Sequence, residues 1–416
     1  YFLGQGGIQR MTDVRQPSPN VLAADGPNTS VRYEFGPDKM TWQLDNHSSD
    51  GRPFFIVFDA GVMAGHIGDD WRKAPGAVKA VEDPVKTPMA WYAGRARVTL
   101  TGGNKVWGPW FDKYQVWEVS LQPNEKRTVT VELARAPAAE VDKAAATAGV
   151  PAAPATEVAL YGPLDYQVFQ RQTRTQGEIT LRGRVRADCD RVEWRLTGKP
   201  LEGPAPEQWQ ALPPAAGTRE FQAALPAPAG GWYKLEVRAL KGGKEVAAAA
   251  VGHVGVGEVF VGAGQSNSTN CGQEKIQQHS GMASSFSGTY WQLADDPQVG
   301  NHDDSVGGSF WPAFGDAMYE KYHVPIGIAS TGHSGTSVNQ WLPDAPDGLF
   351  LWTTERISEL GKGGFRAVLW HQGESDVGMT PDEYARKMTT VIEQSRGEAG
   401  WDVPWFVAQV SYHSPK

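Results

Sequence analysis

Glu258-Val259-Phe260-Val261 is an apolar strand-like run, and it breaks into Gly-rich polar sequence containing Gly264-Gln265-Ser266-Asn267. Downstream, Trp311-Pro312-Ala313-Phe314-Gly315-Asp316-Ala317-Met318-Tyr319 can start a helix, and Val324-Pro325-Ile326-Gly327-Ile328-Ala329 reads as a buried strand. Residues 349–360 then read as a helix, Ala367-Val368-Leu369-Trp370 as a strand, 381–396 as a helix and 404–410 as a strand. Strands alternating with helices predict a parallel α/β sheet. In such a sheet functional groups collect in the loops beyond the carboxyl ends of the strands.

Outward from that segment, toward the N-terminus, the pattern changes. Residues 157–255 carry short alternating strands such as Glu178-Ile179-Thr180-Leu181, Arg191-Val192-Glu193-Trp194-Arg195-Leu196 and Trp232-Tyr233-Lys234-Leu235-Glu236-Val237, which predict an immunoglobulin-like β-sandwich. Residues 137–156 mix Ala and Pro without a hydrophobic period and read as a linker. Residues 1–136 hold another series of short strands, among them Val31-Arg32-Tyr33-Glu34-Phe35 and Phe54-Phe55-Ile56-Val57-Phe58, and predict a β-sandwich or jelly roll. The expected chain is therefore multidomain, with two β-sandwich domains ahead of an α/β domain at 256–416.

With 416 residues there is length for two or three cores. A net charge of -8 and a pI near 5.7 leave no basic footprint for nucleic acid. Sixteen Trp suit a β-rich chain with aromatic surfaces that stack on sugars, and Trp42, Trp71, Trp91, Trp107, Trp110 and Trp117 put several in the first domain, although core packing accounts for most tryptophans. Cys189 and Cys271 fall in different expected domains, too few for a disulfide framework or a zinc site. No apolar run is long enough to span a bilayer, so no membrane partner is expected. The chain opens on Tyr1-Phe2-Leu3 without Met or a signal segment, and the expectation is a bacterial protein trimmed after export, secreted or periplasmic.

Three polar clusters follow predicted strand ends. In Gly264-Gln265-Ser266-Asn267 a serine on a tight Gly-lined turn can expose its hydroxyl, while free backbone N–H groups can hold the oxyanion formed by its attack. Gly-x-Ser alone is weak, since Gly and Ser populate any strand-to-helix turn. Gly332-His333-Ser334-Gly335-Thr336-Ser337 offers glycines where a main-chain N–H can approach a ligand, or is simply a polar loop. His371-Gln372-Gly373-Glu374-Ser375-Asp376 packs five side chains able to hydrogen-bond into six residues, more than a turn requires.

Together, Gly264-Gln265-Ser266-Asn267, Ser334-Gly335-Thr336 followed by Trp341, and Trp370-His371-Gln372-Gly373-Glu374-Ser375-Asp376 resemble the ordered blocks of SGNH hydrolases, in the branch of sialate O-acetylesterases and plant-polysaccharide acetylesterases. The resemblance covers residue 255 to the end, and the stretch from Asp165 to Gly183 is more weakly similar to the β-domain of the sialate-esterase members. It implies a flavodoxin-like three-layer domain and a carbohydrate O-acetylesterase working through an acyl-enzyme. Ser266 would be the nucleophile, Gly335 and Gln372 would join the Ser266 N–H in the oxyanion hole, and Glu374 would orient a neighbour. Gln265, Asn267, Trp341 and His371 would meet an acetylated carbohydrate, with no cofactor and no metal.

The sequence departs from the family where the base belongs. SGNH enzymes take it from an Asp-x-x-His block, and none of the nine histidines has Asp three residues before it. The α/β pattern also stops at least a strand and a helix short of the family's, and the expectation is that the base lies in a further C-terminal segment or a separate chain. His413, just past a strand, is the internal alternative. Acetylated xylan or xyloglucan is preferred over sialic acid, because appended β-domains suit polymers. Two other classes stay open: a carbohydrate-binding protein with an inactive α/β domain, and a metal hydrolase using His302, Asp303, Asp304, His371, Glu374 and Asp376, whose spacing fits no familiar ligand pattern.

Overall fold

The computed structural model describes residues 2–4, 7–9, 13–59, 64–67, 70–73, 89–93, 96–103, 105–110, 114–135, 140, 158–185, 187–212 and 220–410. The chain divides into two compact units, Tyr1–Ala155 and Thr156–Lys416. It is built largely of β-sheet with few helices.

In the first unit every described strand pairing is antiparallel. Nine strands form one sheet, with Thr29–Phe35, Lys39–Asn46, Lys126–Arg135 and Ala96–Thr101 side by side in its middle, and Lys105–Trp110, Tyr114–Leu121 and Arg52–Asp59 form a three-stranded sheet. Val31, Leu44, Leu100 and Val129 are buried on one face, which alternation along each strand requires. Trp42 is half-buried, edge-on to Tyr33 at 5.6 Å. The side chains of Trp71, Trp91, Trp107, Trp110 and Trp117, and the expected linker apart from Glu140, lie outside the described residues.

The second unit begins as two antiparallel sheets. Val158–Gly162, Gln176–Val185 and Glu220–Pro228 form one; Arg191–Thr197, Gly230–Lys241 and the start of Lys244–Gly264 belong to the other. Ile179, Leu181 and Leu225 of the first share a core with Trp194, Leu235, Val237 and Val254 of the second, so the sheets are stacked face to face.

The strand Lys244–Gly264 continues through residues 255 and 256 without a break. Its first part pairs antiparallel with Gly230–Lys241, whereas Glu258–Gly262 pairs parallel with Ile326–Ser330 and Phe260–Gly264 parallel with Ala367–His371. Gln167–Gln170 runs parallel to Val254–Gly257 at the join. There the Glu258 carboxylate, 7% exposed, receives Arg171 Nε at 2.7 Å, Arg366 Nε at 2.7 Å and Gln170 Nε2 at 2.9 Å. Burial pushes its pKa up, but the hydrogen bonds from Arg366, Gln170 and Arg171 outweigh burial and hold it below the usual carboxylate value.

The parallel sheet runs Ala283–Phe286, Ile326–Ser330, the central strand, Ala367–His371 and Trp405–Val407, with Trp291–Leu293 antiparallel at one edge. Alternate residues of the central strand face different helices. Val259, Val261 and Ala263 share a core with Leu349, Phe350 and Ile357 of helix Leu349–Leu360 and with Met388 and Val391 of helix Pro381–Ala399. Phe260 packs with Trp311, Phe314 and Met318 of helix Trp311–Tyr322 on the other side. The sheet is thus a middle layer, and apolar runs replace alternation because both its faces are dry. The final strand is shorter than the sequence predicts, at Trp405–Val407, and the Ala283–Phe286 and Trp291–Leu293 pair has no strong sequence signal. No helix among the described residues is long and apolar enough to cross a membrane.

Candidate active site

From the central strand the chain proceeds to one side of the sheet and later to the other, so its carboxyl end sits at a topological switch point. Ser266 lies there, opening the single 3-10 turn Ser266–Ser268. Gly264 has φ +132, and a Cβ on it would come within 2.1 Å of the His371 carbonyl oxygen. Only glycine lets the chain pass its neighbour this closely and turn. Gln265 N–H then bonds that same carbonyl at 3.0 Å, and Ser268 N–H bonds Gln265 O at 2.8 Å. Ser266 is half-buried, and neither its hydroxyl nor its main-chain N–H has a hydrogen-bond partner among the described residues.

The second cluster lies against this turn through His333 N–H, which bonds Gly264 O at 2.9 Å. Gly335 is exposed at φ +71 with nothing within 4 Å of where a Cβ would stand, and its N–H is also without a partner among the described residues. The third cluster meets the turn through the parallel pairing of Gly264 with His371. The fold therefore gathers the three clusters at the ends of three adjacent parallel strands, and the free N–H groups of Ser266 and Gly335 are of the kind that receive an oxyanion.

Three of the expected site side chains are buried. Gln372, expected to donate to the oxyanion, is 2% exposed, and its amide has protein acceptors for both protons: Thr336 O at 2.9 Å, Gln265 Oε1 at 3.2 Å and Asp376 Oδ2. Its own oxygen accepts from the Tyr384 hydroxyl at 2.9 Å. As placed it ties loops together. Gln265, expected at the substrate, is 4% exposed, and its side-chain oxygen accepts from Gly373 N at 3.3 Å and Ser375 N at 3.2 Å. Trp341, also expected at the sugar, is 1% exposed; its indole N–H donates to Thr336 Oγ1 at 3.0 Å and its ring meets Trp370 edge-on at 5.0 Å. A large ring so placed contributes to the core.

The open rim holds the remaining residues. Exposed Asn267 donates through Nδ2 to Glu374 Oε1, which lies 3.7 Å from His371 Nε2. Glu374 Oε2 is buried without a partner among the described residues. His413 lies outside the described residues.

Sequence reasoning did not foresee how the Asn301–Asp303 loop braces the second cluster. His302 N–H bonds Gly332 O at 2.9 Å, Asp303 Oδ2 accepts from Ser334 N–H at 2.6 Å, and the His302 and His333 Nδ1 atoms are 2.8 Å apart. Burial, with the neighbouring His333 adding to it, lowers the His302 pKa to about 4, so His302 is uncharged near neutral pH. A polar loop between two elements carries no one-dimensional sign of what it will lie against. Among the described residues no group of three or more His, Cys, Asp or Glu is arranged to hold a metal.

Residues 256–416 match the family model described as carbohydrate esterase, sialic acid-specific acetylesterase. Among solved structures, a carbohydrate acetylesterase from Xanthomonas citri is similar at 20% identity over 60% of this chain, with a TM-score of 0.35; the chain spans 59% of that protein's length. A protein from Arabidopsis thaliana is 21% identical over 36% of this chain and 72% of its own, with a TM-score of 0.30. A galactose mutarotase-like protein from Clostridium acetobutylicum is 12% identical over 30% of this chain and 65% of its own, with a TM-score of 0.16. No curated protein matches the chain.

Proposed function

We propose that the chain is a serine esterase that removes O-acetyl groups from carbohydrate, with acetylated plant polysaccharide of the xylan or xyloglucan type as substrate. The observation that carries this reading is the meeting of the Ser266 turn, the open Gly335 and the His371–Asp376 loop at three neighbouring strand ends. The family match over residues 256–416 supports the same chemistry from the sequence side.

Ser266 Oγ attacks the acetyl carbonyl while a base takes its proton, and the Ser266 and Gly335 N–H groups hold the developing oxyanion. Collapse breaks the ester C–O bond, and the sugar oxygen leaves with a proton. Water then attacks the acetyl-serine and releases acetate. His413, which lies outside the described residues, is the base candidate within this chain. A polymeric substrate would place the enzyme outside the cytoplasm. The description of the matching family favours a second substrate, O-acetylated sialic acid.

The test is turnover of p-nitrophenyl acetate, acetylated xylan and O-acetylated sialic acid by the protein and by Ser266→Ala. Loss of on the order of 10³-fold or more is expected from removing the nucleophile. A Ser266→Ala protein as fast as its parent would end the serine-esterase reading, and the relative rates on the two sugars decide the substrate.

A further inference from the structure

One buried carboxylate joins the loop that carries Gly335 to the loop that carries Gln372. Asp376 is 8% exposed; its Oδ1 accepts from Ser337 Oγ at 2.5 Å and its Oδ2 from Val338 N–H at 3.0 Å and from Gln372 Nε2. Gln372 Nε2 reaches back to Thr336 O at 2.9 Å. Three consecutive residues after Gly335 are thereby bonded to the His371–Asp376 loop. On the other side of Gly335, His333 N–H is held by Gly264 O and Ser334 N–H by Asp303.

An exposed glycine at positive φ has no side chain to anchor it, and its intrinsic freedom is large. Where its N–H points is set by its fixed neighbours. We infer that Asp376 is a positioning residue for the oxyanion site, its carboxylate locking Thr336–Val338 in place and so aiming the Gly335 N–H at the carbonyl attacked by Ser266. This inference rests on the esterase reading above. The chemistry needs a carboxylate, because two oxygens meet three donors; an amide at this position would offer one oxygen and turn an NH₂ toward a donor. Asp376 touches neither nucleophile nor substrate in this scheme, so it acts on the transition state through geometry alone.

Asp376→Asn and Ser337→Ala test the clamp by two measurements. The first is backbone amide hydrogen exchange over residues 332–341; about tenfold faster exchange confined to that segment is expected in Asp376→Asn, with a smaller change in Ser337→Ala, which loses one bond. The second is p-nitrophenyl acetate kinetics; kcat should fall on the order of 10- to 100-fold with KM nearly kept, as for an interaction used in the transition state. Unchanged exchange in both variants overturns the inference, and so does acceleration spread across the whole unit or an unchanged kcat in an otherwise active protein. If Asp376→Asn does not fold, Ser337→Ala carries both readouts. If the parent protein shows no Ser266-dependent turnover, the esterase reading fails, the oxyanion role of Asp376 fails with it, and exchange still shows whether the clamp exists.

Discussion

From Val246 to His253 the long strand of the second unit alternates between exposed and half-buried residues, and from Val254 to Gly264 every residue is buried. The backbone is continuous, so the difference comes from what lies on its faces. At the sandwich end Ala247, Ala249 and Val251 touch a core on one side, with water on the other. At the α/β end helices cover both sides and parallel strands flank both edges. Close packing there leaves little tolerance, and the strand ends in the Gly264 turn that carries Ser266.

The comparison breaks most easily at its glycines. Gly264→Ala should cost roughly 2–4 kcal/mol from backbone strain and overpacking, and on the proposed serine-esterase function should lower turnover by on the order of 10²-fold through displacement of Ser266. Urea denaturation and p-nitrophenyl acetate kinetics read the two effects; a fully stable, fully active Gly264→Ala protein would mean that the tight approach to His371 is dispensable.

Glu258→Gln probes the join between the two regimes. Arg171 would keep its buried charge without a counter-ion, at a cost of about 3 kcal/mol at neutral pH. The same carboxyl gives a pH signature. Its folded pKa lies below the reference value of 4.5, so its contribution is fully present above about pH 4.5 and is lost as pH falls through the folded value. The variant should therefore show a flatter acid limb in a plot of stability against pH, and an unaltered limb would count against the ion pair as the joint.

The smallest effect is expected from Gly252→Ala on the same strand, where a Cβ would meet only Asp165 Oδ1 at 3.6 Å. Removing glycine's conformational freedom in a strand should leave stability within about 0.5 kcal/mol or raise it slightly. Destabilisation comparable to that of Gly264→Ala would erase the contrast between the two ends.

Much of the α/β region is legible before folding. Helix Pro381–Ala399 starts where Thr380 can cap it, accepting from Glu383 N–H at 3.3 Å, and ends at Gly400 with φ +69. The three clusters are legible as strand-end polar runs, and the structure brings them together. The direction of each side chain within them is not legible. Gln265 and Gln372 are separated by 107 positions, and both read as available hydrogen-bonding groups until the fold turns them toward each other. Tyr384, whose hydroxyl reaches Gln372, is one polar-tipped residue on an amphipathic helix and gives no local sign of that contact.

The sequence by itself determined the main alternation of strand and helix after residue 255, and which three short runs stand at strand ends, because those properties follow from local periodicity, capping and glycine content. Only the tertiary structure decided that the strand after residue 244 runs unbroken from sandwich to α/β sheet, that Gln265, Gln372 and Trp341 face inward, and that Asp376 binds two loops. Those outcomes depend on which polar groups lose water together. A buried amide or carboxylate takes whatever partners the packing brings within about 3 Å, and that pairing is made across the sheet rather than along the chain.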